Sequence, residues 1–302
     1  MIATSTASHL RRGRPDDSRA AFDVLIEAAR DLTARQGIDW NPDPDEFWTQ
    51  SESFYQHLAT HAAEWWLAED PASGELLGYA RSIQRGGLLE LSEFFVRPAH
   101  QSAGIGRQLL ERAFPRGRGD VRVIVATTDV RALRSYYRAG TVARFPIATL
   151  EGVPQRTDDE LELLATRAGK EDIAALASLE AGVLEFPRDA DDFLWLLHER
   201  EGYLYERDGR RVGFAFVSAT GSGPMVALEA VDQVSILRHL EGRAAELGGG
   251  RLGLEVPMVN EVAVRHLLDR GFKIDPFLTI LMSSRPFGQF DRFIGIAPPL
   301  VL

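Results

Sequence analysis

The 302-residue chain contains no cysteine. Disulfides, a catalytic thiolate and cysteine-ligated zinc are therefore excluded, and a reducing cytoplasmic setting is the one that fits. Long apolar runs are missing too. No stretch reaches the roughly 20 residues of a membrane-spanning helix, and the opening MIATSTASHLRRGRPDD lacks the apolar centre of a signal peptide. Positive charge is scarce: 34 Lys and Arg stand against 44 Asp and Glu, a net charge of −10. Such a chain is a poor partner for nucleic acid or an anionic membrane, and it mildly favours a cationic substrate such as an amine. What is present suits a packed globular protein, with 45% hydrophobic and 26% charged residues and length enough for two domains.

The two halves repeat. LRRGRPDDSRAAF near residue 10 resembles LLATRAGKEDIAAL near residue 163, each a short strand, an acidic helix start and a helical apolar pattern. AEWWLAEDPASGELLGYARS matches EGYLYERDGRRVGFAFVS, each a hairpin whose second strand carries a glycine, Gly78 or Gly213. Val96 aligns with Val231 at the same spacing of 135, whereas Ala132 and Ala263, like Gly140 and Gly271, stand 131 apart. The order per copy reads β, α, α, β, β, β, α, β, α, β. It predicts an α/β (α+β) protein of two tandem copies, each a mixed, mostly antiparallel sheet flanked by helices on both faces. The polar stretch TLEGVPQRTDDE sets the boundary, giving domains 1–150 and 151–302. The change of spacing places a deletion in the second copy's version of residues 97–106, so that its helix begins directly at Asp232.

That segment holds the main chemical signal. Val96-x-Pro98, then Gln101-x-x-Gly104-x-Gly106, turns a strand into a helix. Early helical N–H groups have no intrahelical partner and carry partial positive charge. Glycines let them approach an anion without a Cβ in the way. The turn reads either as a pyrophosphate cradle, with Arg107 adding a charge-assisted bond, or as a tight packing turn. It is not a P-loop, since Arg107 and Gln108 follow Gly106, and it lacks the third glycine of a dinucleotide fingerprint, Leu109 standing there. A formal G-x-G-x-x-G at Gly248, Gly250 and Gly253 follows a helix and precedes a strand, so it reads as a helix C-terminal turn. His57 and His61 lie four apart on a predicted helix, but the glutamate of H-E-x-x-H and a third ligand are missing, and no metal is expected.

Val-x-Pro followed by Gln-x-x-Gly-x-Gly resembles the acyl-CoA-binding signature of the GNAT superfamily of N-acetyltransferases. VRVIVATT and the helix carrying Asp129, Ala132, Tyr136 and Gly140 resemble that family's next motif. The second copy keeps Asn260, Ala263 and Gly271 but has Leu267 in the tyrosine's place. The chain thus resembles tandem GNAT proteins with a degenerate C-terminal copy.

The resemblance implies acetyl-CoA as co-substrate, bound where two parallel strands splay. Phe94, Phe95 and Val96 would offer open backbone to the pantetheine. Gln101, Ser102, Ala103, Gly104, Ile105, Gly106 and Arg107 would hold the diphosphate, and Asp129 belongs to the same cofactor set. A β-bulge would leave the strand's groups unpaired, and an amine would attack the thioester directly. Glu93, or else Glu90, is the candidate base; simple alternation puts the two on opposite faces unless a bulge intervenes. Tyr136 is the candidate acid for the leaving thiolate, with Tyr137 better suited to packing. Trp40, Phe47, Trp48, Phe54 and Tyr55 fall on the acceptor side as pocket wall or core. The implied function is an acyl-CoA-dependent N-acetyltransferase acting in the first copy on a small-molecule or peptide amine, with no nucleic acid, membrane or metal involved and a homodimer left open. The alternatives are a non-catalytic acyl-CoA-binding regulatory module and an acetyltransferase of the mycothiol-synthase kind.

Overall fold

The computed structural model describes residues 8–101, 104–156, 162–219 and 221–296. Two compact units emerge. The first takes the chain up to Val142 together with Met282–Arg285; the second takes Ala143–Leu281 and the chain from Pro286 onward. Sequence alone put the boundary at 150, whereas residues 143–150 lie in the second unit.

The first unit runs β1 (His9–Arg12), α1 (Ser18–Arg35), α2 (Pro44–Thr60), β2 (Glu64–Glu69), β3 (Leu76–Arg85), β4 (Leu88–Val96), α3 (Ile105–Ala113), β5 (Val121–Thr127) and α4 (Val130–Ala139). Its strands lie in the order β1-β2-β3-β4-β5. The first four pair antiparallel, and β5 joins β4 in parallel. Both faces are covered, which is why β3 and β4 read as buried runs rather than alternating patterns. On one face Ala21 and Val24 of α1 pack with Ala59 of α2 against Trp65, Leu67 and Tyr79. Phe22 forms the centre of an aromatic core there, its ring 5.5 Å from Phe47, 5.2 Å from Trp48 and 5.2 Å from Tyr55. On the other face α3 packs on β2, β3 and β4.

The second unit repeats the succession. It contains β6 (Val142–Gly152) apart from its first residue, β7 (Leu164–Arg167), α5 (Ile173–Leu184), α6 (Ala190–Glu199), β8 (Glu201–Arg207), β9 (Arg210–Val217), β10 (Ser222–Ala227), α7 (Gln233–Glu246), β11 (Leu252–Pro257), α8 (Glu261–Asp269) and β12 (Lys273–Ser283) up to Leu281. A short strand absent from the predicted order, β13 (Phe293–Ile294), follows. Strands β7-β8-β9-β10-β13 form one antiparallel array. Next to it β6 pairs antiparallel with β11, and single bridges join Gly221 to Gly253 and Glu255 to Gly295. The glycines at 248–250 close the end of α7, Gly248 at φ +82° and Gly249 N–H donating to Ala244 O, as the sequence predicts.

The register corrects one alignment. Gly78 faces Val96 and Gly213 faces Ala227. A Cβ on Gly78 would stand 2.8 Å from Phe95 O, and one on Gly213 would run into Val226 O. The repeated glycine therefore answers one steric demand, close approach to the facing strand, and it makes Ala227 rather than Val231 the counterpart of Val96. The four missing residues come out of the β9–β10 hairpin, not the turn. In that register Ser235 and Leu237, inside α7, stand where the first copy has Gly104 and Gly106.

Glu255 on β11 titrates out of its ordinary range. Burial raises its carboxyl from 4.5 to about 6, the charges of Asp275 and Glu151 adding to a rise that a 2.8 Å hydrogen bond from Thr149 partly offsets. A raised carboxyl pKa means that the unfolded chain binds fewer protons between 4.5 and 6. Stability is then complete below 4.5 and is lost as pH climbs through 6, by about 1–2 kcal/mol. Glu255→Gln is expected to unfold later than wild type in denaturant at pH 8 and at the same midpoint at pH 4.

Candidate active site

β4 and β5 diverge. They pair in parallel from Leu88–Val121 to Leu91–Ile124, after which β4 runs on to Val96 and β5 to Thr127 without each other. The cause lies on the far side of β4. Its register with β3 slips between Arg81–Glu93 and Ser82–Leu91, which leaves Ser92 as the extra residue of a bulge. A bulge bends and over-twists its strand, so Phe94, Phe95 and Val96 leave the line of β5 with one backbone edge unclaimed by it. This is the splay that the sequence resemblance implies.

The glycine turn follows directly. Pro98–His100 make a 3-10 turn, and Gln101 Nε2 donates to Val96 O at 3.0 Å, tying the turn to the strand it leaves. Ser102 and Ala103 lie outside the described residues. Gly104, at φ +89°, precedes α3 without supplying any side-chain cap, so among the described residues no N-cap side chain claims the first amides of the helix, from Ile105 on. The two glycines serve different needs. A Cβ on Gly104 would touch nothing within 4 Å, so the demand is conformational; one on Gly106 would press to 3.1 Å on the Phe94 ring. Arg107 is exposed and only loosely paired, 3.9 Å from Glu111.

Tyr136 sits on α4 beside the splay, its ring 6.1 Å from Phe94 in edge-to-face geometry. It is buried, whereas Tyr137 is 51% exposed, the reverse of the packing role the sequence suggests for Tyr137. Burial, with Asp129 adding, pushes the Tyr136 hydroxyl well above its ordinary value, so it keeps its proton throughout the neutral range. Asp129 has a structural office: it caps α4 through Arg131 N–H at 2.8 Å and binds the guanidinium groups of Arg131 and Arg35. Desolvation raises its carboxyl, but these hydrogen bonds outweigh that and hold it near 2.

The bulge decides where the acids point. Glu93 faces Arg81 and Glu90 faces Ile83, two residues on along β3, so both carboxylates share the face under α1 and α2. Neither stands free. Glu93 is 2% exposed; Tyr79 donates to its Oε1 at 2.7 Å and Arg81 Nε lies 3.1 Å from Oε2. Arg81 lies over the Trp65 ring at 4.0 Å and donates to Tyr55 O. Glu90 meets Arg85 at 3.4 Å. Burial first, and the Glu93 charge second, hold the Tyr79 hydroxyl neutral well beyond its usual range. A base at Glu93 therefore works through a water or after this pair loosens. Arg81 and Tyr79 were missed in the sequence; the signal was charge inside the buried strand LLGYARSIQR facing ELSE. The His57 and His61 rings lie 4.3 Å apart and tilted by 36°, and among the described residues no group of three His, Asp or Glu could hold a metal ion. No helix among them is long and apolar enough to cross a membrane.

Comparison with known proteins agrees with this geometry. Residues 26–141 match the Acetyltransferase (GNAT) family. A provisionally named acetyltransferase from Pyrococcus horikoshii aligns over 98% of this chain and 96% of its own at 17% identity and a TM-score of 0.75. A GCN5-related N-acetyltransferase from Sphaerobacter thermophilus covers 97% and 100% at 13% identity and 0.61. A tandem GNAT protein from the clavulanic acid biosynthesis pathway covers 93% and 99% at 14% identity and 0.55. No curated protein sequence matches. The GNAT family match thus falls within the first unit, at residues 26–141, and the whole chain has the fold of these GNAT structures, the tandem protein among them.

The Arg81–Glu93 pair carries a stability prediction. Removing one partner strands a buried charge, so Arg81→Met or Glu93→Leu should each lower unfolding free energy by about 3–5 kcal/mol. The double variant should recover most of that loss. Urea titration of the four proteins measures it.

Proposed function

We propose that the chain transfers an acetyl group from acetyl-CoA to a primary amine, by direct attack, in its first unit. The observation that carries this is the coincidence of three features: diverging parallel strands, an uncapped glycine-led helix start at the mouth of the gap, and a protonated tyrosine on the neighbouring helix.

The residues fit the co-substrate by shape and charge. The edge of Phe94–Val96 suits an amide-bearing arm, and the first amides of α3, with Arg107 near, suit a diphosphate. The thioester supplies an activated acetyl group. A backbone N–H of the bulged strand would polarise its carbonyl. The new N–C bond forms as the C–S bond breaks. The ammonium gives up one proton through water toward Glu93 before attack and a second to water as the amide forms; the electron pair of the broken bond goes to sulfur, and the departing thiolate takes its proton from solvent. Tyr136 meets that charge. Because burial holds its phenol far above the pKa of a thiol, roughly 8–9, its contribution is a hydrogen bond to the forming thiolate rather than outright loss of its proton. The net charge of −10 favours a cationic acceptor, small or peptide.

Binding and chemistry are separable by mutation. Gly106→Val should raise the dissociation constant for CoA at least about tenfold, since the side chain must displace Phe94 from the strand edge. Tyr136→Phe should leave that constant unchanged and lower kcat by about 100–1,000-fold, the range for loss of one positioned donor. Calorimetry and a thiol-release assay over an amine panel measure both. CoA binding without thiol release from any amine would make the chain a binding module instead.

A further inference from the structure

In the second unit, Gly221, just before β10, bridges Gly253 of β11 in parallel, and among the described residues the two strands then part, the same divergence that opens the first. The register puts Met225 and Val226 in the places of Phe94 and Phe95. Here the gap is filled. Val226 pairs with Phe293 and Met225 with Ile294, while Gly295 N–H donates to Glu255 O of β11 at 2.9 Å. The chain's own segment thus spans from one diverging strand to the other.

The fit is built on both sides. Phe293 and Ile294 are fully buried. Gln233, at the start of α7, donates to Asp291 O at 2.9 Å, and Asn260, the cap of α8, donates to Phe293 O at 3.3 Å. Arg292 donates to Leu228 O. A Cβ on Gly223 would run into the carbonyl of Gly295, so β10 carries glycine where this segment crosses it. Asn260 stands where the first copy has Asp129, and its amide is spent on the segment's backbone. Leu237 replaces Gly106 and is buried, so no bare helix start faces the gap.

We propose that Phe293–Gly295 is a permanent occupant of the second unit's coenzyme groove, a peptide strand in place of a pantetheine arm, so that the chain binds one coenzyme and binds it in the first unit. The coenzyme half of this statement rests on the function proposed above; the occupancy half rests on the pairing alone. Hydrogen exchange of the full-length protein, with and without saturating acetyl-CoA, tests both, alongside calorimetric stoichiometry. The expected result is one equivalent bound, new protection at residues 92–108, and amides at 225–226 and 293–295 slowed at least about a thousandfold in either state. Two equivalents, or changed exchange at 222–227 with release of 290–296, would overturn it. If acetyl-CoA does not bind at all, the proposed function fails. Occupancy is then judged on the ligand-free protein, where slow amides at 293–295 sustain it and rapid exchange overturns it.

Discussion

The bulge at Ser92 is the constraint on which the first unit turns. By adding one residue to β4 and none to β3, it steers the strand away from β5 just past Leu91, and a sheet that should continue opens instead. Opening is not free. Backbone groups that lose a ladder partner must find another, so a diverging pair of parallel strands is an invitation to a ligand with amides to offer. The same extra residue rotates Glu93 onto the face already holding Glu90, which would otherwise set two carboxylates side by side in a closed interior. Arg81 and Arg85 answer them from β3. The charge pairs are thus a consequence of the bulge rather than an independent ornament of the core.

This arrangement bears on what Glu93 can do. Its Oε1 accepts from Tyr79, its Oε2 lies against the Arg81 guanidinium as an ion pair without a hydrogen bond, and its side chain is buried. A carboxylate so held is fixed in position and costly to disturb, good properties for ordering a water and poor ones for direct contact with a bulky amine. Tyr136 is the complementary case. It is buried beside the ring that Gly106 leaves room for, its phenol held in the protonated form. One group is paired and structural first; the other brings a protonated phenol to the gap.

The repeat, the order of elements, the glycine turn and the splay with its bulge were all legible in sequence or followed from the resemblance, because each rests on local pattern. Three things were not. The position of the bulge depends on cross-strand register, which alternation cannot reveal, and with it went the common face of Glu90 and Glu93. The alignment of the second copy failed because a valine was matched by type; the glycine that clashes with a facing carbonyl is the firmer anchor, and it moves the missing residues into a hairpin. The third was β13. PFGQFDRFIGIAPPLVL is evidently apolar, but its partner lies on β10, 67 to 69 residues earlier, and nothing local names it.

That last segment shows how one fold settles the same debt of unpaired backbone in two ways. A ligand filling a strand gap gives up translational freedom each time it binds; a tethered segment has given it up once, in folding, and meets its groove at high effective concentration. For the second copy to bind a coenzyme, it would have to expel fully buried Phe293 and Ile294, take from Gln233 its acceptor at Asp291 O and leave Asn260 only Gln233 Oε1, since buried polar groups demand partners. The loss of the glycines at Ser235 and Leu237 and of the phenol at Leu267 is then intelligible as a result. With the groove filled by the chain itself, Leu237 and Leu267 stand as core.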